Sequence, residues 1–140
     1  MGAELGENQF AFRNNTFPFV FQHHSRIHSQ NETTMIISIF DNGSDGEIAL
    51  EREPSGMIMA VDTAKMMCTV LRQYKISDNT GRGILSTSQG STQLLENGNI
   101  YMGWGSQPYV SEHTANGKLI MRRQFGAKNV SMSYRAFKAD

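Results

Sequence analysis

Cysteine is nearly absent: Cys68 is the only one in 140 residues. A lone thiol cannot close an intrachain disulfide, and no Cys-x-x-Cys pair exists to bind zinc or to cycle redox equivalents. Its setting, MMCTV, reads as a buried structural thiol rather than a nucleophile, so cysteine does not fix the compartment. An excess of one charge is also lacking, because thirteen Lys and Arg face thirteen Asp and Glu. That balance removes the electrostatic footprint expected for nucleic acid or an anionic membrane, and the one basic pair, Arg122-Arg123, reads as a solvated face. No apolar run approaches the ~18 residues of a spanning helix. MGAELGENQFAF has no basic region ahead of an apolar stretch and does not read as a signal peptide. MGAELG also lacks the Ser or Thr that myristoylation asks for at position six. Proline is scarce as well, with three residues against thirteen glycines, which suits a turn-rich β protein.

What the chain does hold is a recurring unit: a short apolar run, a turn signal, then another run. No amphipathic helix pattern lasts three turns. Strands are expected over Phe19 to His28, Thr34 to Asp41, Gly56 to Asp62, Met67 to Tyr74, Ser86 to Leu95, Asn99 to Gly105, Tyr109 to Thr114, Lys118 to Phe125 and Val130 to Phe137. Asn-Gly dipeptides at Asn42-Gly43, Asn97-Gly98 and Asn116-Gly117 supply the positive φ values of tight turns. Strands at about 8–12-residue spacing indicate an antiparallel all-β fold.

Residues 86 to 125 would hold four such strands in about 40 residues, the period of one propeller blade. Residues 19 to 74 would form a second, longer unit. The fold expected is a partial β-propeller over residues 19–140, about two to three antiparallel four-stranded blades, preceded by an irregular segment over residues 1–18. A closed propeller needs at least about four blades. The chain therefore reads as a fragment that lacks upstream blades and is prone to self-association through open edges. A cooperative, monomeric thermal transition would contradict that expectation.

Several ordered motifs carry a resemblance. FVFQHHSRIH, MIISIFDNGSDG, STSQGSTQLLENGNIYMGWGSQPYVSEHTANGKLI and SYRAF together resemble the arylsulfotransferase family, in particular its fungal and bacterial branch. The resemblance runs from Phe19 to Phe137, nearly the whole chain. It implies a six-bladed β-propeller in the complete protein. It also implies sulfuryl transfer from a phenolic sulfate ester to a phenol through a sulfated histidine, with no nucleotide sulfate donor and no cofactor. The partners implied are a phenolic sulfate donor and a phenol acceptor.

Such chemistry has a plain physical basis. Imidazole is a nucleophile near neutral pH, and a covalent intermediate splits one transfer into two easier steps. Fixed cationic donors should meet the sulfuryl oxygens. By the resemblance, Gln22-His23 matches the family's Gln-His pair and Arg26 its following arginine. His23 is then the candidate nucleophile and Arg26 an oxyanion partner. The next position is small or acidic in the family pattern but is His24 here. Strand alternation puts His23, Ser25 and Ile27 on one face and His24, Arg26 and His28 on the other. Alternation thus pairs Arg26 with His24, the motif pairs it with His23, and a bulge would reconcile the two. Both imidazoles stand as catalytic candidates.

Zinc is not expected at this cluster. On a strand, His24 and His28 would lie about 13 Å apart, too far to share an ion, with no Cys, Asp or Glu beside them. Gln22, Trp104 and Arg135 are the candidate substrate-binding residues, each with a packing role as the alternative. Trp104 sits between glycines that permit close backbone approach. His113, ahead of an Asn-Gly turn, reads as a surface residue, Asp41 and Asn42 read as turn formers, and MIMAVDTAKMM reads as core filler. Sequons at Asn14, Asn31, Asn42 and Asn129 point to a secreted glycoprotein and leave the compartment otherwise open. The competing functions are a non-catalytic propeller module that binds ligands and an inactive truncated gene product.

Overall fold

The computed structural model describes residues 10–13, 19–44, 53–77 and 81–139. Every element in it is a strand: β1 (Ala11–Phe12), β2 (Gln22–Gln30), β3 (Thr34–Asp41), β4 (Ser55–Asp62), β5 (Met67–Tyr74), β6 (Ser91–Leu94), β7 (Ile100–Gly103), β8 (Tyr109–His113) and β9 (Leu119–Gln124). They form two sheets, ordered β1-β5-β4-β3-β2 and β6-β7-β8-β9. Each sheet is built around a four-stranded antiparallel meander, β2 to β5 and β6 to β9, the arrangement of a propeller blade. The described residues are thus all-β, as alternation and turn signals indicate, and their two sheets do not close into a barrel.

Two of the Asn-Gly turns share one geometry. Leu95 N–H donates to the Asn99 carbonyl and Gly98 N–H to Leu95, both at 2.9 Å. Thr114 with Lys118 and Gly117 with Thr114 repeat this at 2.9 Å each. Gly98 (φ +82°) and Gly117 (φ +93°) take the left-handed position that only glycine occupies freely. Asp41 and Asn42 do more than shape a turn. Asp41 Oδ1 accepts from Gly43 N at 3.1 Å and from Val20 N at 3.0 Å. Asn42 is buried and donates from Nδ2 to the Ser86 carbonyl at 2.8 Å, tying β3 to the segment that leads into the second sheet.

Period-two alternation in β3 and β4 sorts the core into two layers. Phe40 and Ile58 face the second sheet and pack with Tyr74, Ile100, Met102, Trp104 and Tyr109. Ile37, Ile39, Met57, Met59 and Val61 line the other face, with Cys68 and Phe19. Cys68 is a buried thiol outside any disulfide, and burial pushes its pKa up, as its apolar setting suggests. Trp104 is fully buried; its ring meets Phe40 edge-on at 5.5 Å, and Nε1–H donates to Ser111 Oγ at 2.8 Å.

Three expectations change. Ala11–Phe12 pairs in parallel with β5, although residues 1–18 read as irregular; residues 1–9 and 14–18, with the Asn14 sequon, lie outside the described residues. Val130 to Phe137 is no ladder strand. It lies along β6, but its backbone bonds are scattered: Gly90 N–H donates to the Tyr134 carbonyl and Ser133 N–H to the Gly105 carbonyl, while Ser91 Oγ accepts the Ala136 N–H and donates to the Ala136 carbonyl. His113 is buried, not exposed. Its Nε2 meets Ser111 Oγ at 3.1 Å and its ring stands against Tyr74.

Candidate functional site

The histidine-rich stretch forms β2, the edge strand of the first sheet. Its register against β3 is not uniform. His23 pairs with Phe40 and Arg26 with Ser38, so three steps along β2 match two along β3. The extra residue falls at His24-Ser25, and His24 takes a left-handed backbone, φ +54°. This is a β-bulge. Phe40 and Ser38 lie on one face of β3, so their partners His23 and Arg26 also share one face. Regular alternation would have separated them.

His24 itself is turned inward. Only 6% of it is exposed, and the Thr92 N–H of β6 donates to its Nδ1 at 3.2 Å. Thr92 is held from the first sheet at two further points: Ser38 Oγ donates to its carbonyl at 3.3 Å, and its own hydroxyl donates to the Ile39 carbonyl at 2.9 Å. His28 joins through Nε2, 2.9 Å from Ser38 Oγ. Thr92 points toward the first sheet, whereas Ser91, one residue earlier, points to the opposite face, where the chain after β9 lies. Phe137 of that segment reaches His24 with ring centroids 5.3 Å apart.

Burial and nearby cations keep these imidazoles neutral. His24 is lowered to about 4, first by burial and then by Arg26 and Arg135. His23 is lowered by burial and by Arg135, and His28 by burial. Arg135 is therefore within electrostatic reach of both His23 and His24, although it lies 109 residues beyond Arg26 in sequence. Its guanidinium also covers the Tyr134 ring at 4.9 Å. The structure gathers His23, His24, Arg26, His28 and Arg135 at one sheet edge. Gln22 opens the strand opposite Asp41, half-buried. Trp104 lies in the core behind Phe40, its whole surface given to protein neighbours.

Thr92, Ser38 and Phe137 went unseen as partners of this cluster. SQGSTQLL marks a strand but not the residue whose amide meets a histidine 68 positions away. Such an inter-sheet contact leaves no local pattern.

Comparison with known protein families matches the arylsulfotransferase (ASST) model over residues 3–126. The chain belongs to the arylsulfotransferase family. No curated protein and no solved structure matches it. The matched span includes both sheets and the bulged strand, whereas Arg135 and Phe137 lie beyond it.

Proposed function

We propose that this arylsulfotransferase-family chain carries part of a sulfuryl-transfer site, with a phenolic sulfate ester as donor and a phenol as acceptor. The observation that carries the reading is the bulge at His24-Ser25, which sets His23 and Arg26 on one face. A lone pair of a neutral His23 nitrogen attacks sulfur. The N–S bond forms as the S–O bond to the aryl group breaks, and the phenolate leaves and takes up a proton. The acceptor phenol gives up its proton, its oxygen attacks sulfur, and the N–S bond breaks to restore the imidazole. A lowered pKa keeps His23 in the neutral, nucleophilic form at neutral pH. Arg26 and Arg135 offset charge on the sulfuryl oxygens. Gln22 adds an amide at the start of the strand. Trp104 supports the site indirectly, by packing against Phe40, the cross-strand partner of His23.

The test measures release of a chromogenic phenol from its sulfate ester, with a second phenol as acceptor, in the gene product that carries this chain. Turnover is expected in the wild type, with loss of at least ~100-fold in His23→Ala and a labelled sulfohistidine at position 23. No wild-type turnover, or unchanged turnover in both His23→Ala and His24→Ala, would reject the reading. One observation favours a non-catalytic binding site instead: Phe137 lies against the buried His24 ring. Binding of the sulfate ester without turnover is the outcome that would select it.

A further inference from the structure

The two adjacent histidines are not chemically equivalent. A backbone amide can only donate, so the Thr92 N–H bond at 3.2 Å requires a bare lone pair on His24 Nδ1. In the neutral ring the proton must then sit on Nε2. His24 Nε2 is buried and has no hydrogen-bond partner among the described residues. An unanswered buried N–H is costly, and such groups accompany function often enough to ask what would answer this one.

Neither nitrogen of this ring is free to attack. The Nδ1 lone pair is occupied by Thr92, and Nε2 carries the proton. The ring is also fixed in place, by the left-handed backbone of the bulge, by the Thr92 bond and by Phe137. Its complement is therefore an acceptor atom. Arg26 and Arg135, both within electrostatic reach of the ring, make that acceptor anionic.

We propose that His24 is a preset Nε2–H donor for one oxygen of an oxyanion, of sulfate or sulfate-ester shape, and is not a nucleophile. The choice of sulfate rests on the sulfuryl-transfer reading; the donor role does not. His24 and His23 then divide the labour, one imidazole binding the anion and the other supplying the lone pair. Entry of the oxyanion displaces the Phe137 ring, which is 57% exposed and lies against the His24 ring.

The test needs no turnover. With ¹⁵N-labelled histidine at neutral pH, His24 should show a protonated Nε2 and a bare Nδ1, and inorganic sulfate should shift its Nε2–H resonance. His24→Asn separates the two roles of the ring. Asn tolerates a positive φ and keeps a δ oxygen for the Thr92 N–H, but it has no donor at the ε position. This variant should keep the wild-type melting temperature and bind sulfate at least ~10-fold more weakly. An Nδ1–H tautomer, or wild-type sulfate affinity in His24→Asn, overturns the proposal. So does a sulfohistidine label at position 24, an outcome that would still support sulfuryl transfer. Conversely, the expected tautomer and sulfate response in a protein without turnover would reject sulfuryl transfer alone.

Discussion

Ser111 is a small side chain with two obligations. It accepts the Trp104 indole N–H at 2.8 Å and lies 3.1 Å from His113 Nε2. An indole N–H only donates, so Ser111 Oγ is the acceptor in the bond to Trp104, and the direction of its bond to His113 follows the His113 tautomer. All three residues are essentially without exposed surface. Ser111→Ala keeps the volume nearly unchanged but removes both bonds, leaving the Trp104 indole N–H and His113 Nε2 buried and unanswered. A loss of about 2 kcal/mol is expected from urea unfolding. A loss under about 0.5 kcal/mol would mean that these groups find other partners. No local pattern announces this network. His113 precedes an Asn-Gly turn and looks like a rim residue. Its burial follows from its place at the end of β8, where alternation turns Ser111 and His113 to the same side.

Glycine at the element boundaries separates local strain from tertiary contact. Gly90 leads into β6 with φ +115°, and a Cβ there would lie 2.4 Å from the Phe40 ring. Gly117 has a similarly positive φ of +93° with nothing within 4 Å. Alanine at Gly117 should cost about 1 kcal/mol of backbone strain alone. Alanine at Gly90 adds displacement of Phe40 from its edge-on contact with Trp104 and should cost at least about 3 kcal/mol. Thermal unfolding of both variants checks the order, and equal costs would refute it. Elements were the most legible level of this fold. β3 and β5 follow their apolar runs to the residue, because paired strands with a buried face and explicit turns are locally specified. The bulge in β2 was legible only as a possibility, since a bulge is a relation between two strands and no composition marks it. Val130 to Phe137 has strand-like composition. It forms no ladder because its backbone groups go to separate partners: Val130 and Ser131 to Ala127, Ser133 to Gly105, Tyr134 to Gly90 and Ala136 to the Ser91 hydroxyl.

The molecule as a whole carries a uniform acid sensitivity. His23, His24, His28 and His113 are all lowered by burial. Each stays neutral when folded and regains its ordinary pKa of about 6.5 when unfolded. Below that value the unfolded chain binds more protons, so stability falls with pH. The contribution is whole above about pH 6.5 and is lost on acidification; for His24 the loss runs down to about 4. Arg26, Arg135 and His28 surround His24 and push in the same direction. The urea midpoint should be lower at about pH 4.5 than at about pH 7.5, and an equal or higher midpoint at the acid value would contradict this reading. At this scale the family and the all-β fold were legible from ordered motifs. The gathering of Arg135 and Phe137 beside His24 was not, because it arises where the chain returns past β6.

Thr92 gives its amide, carbonyl and hydroxyl to the first sheet, to His24, Ser38 and Ile39 respectively. One histidine of the candidate site is therefore addressed by the blade that follows it, not by its own. Replacing β6 would remove the amide that holds His24 Nδ1, without touching the strand that carries His24.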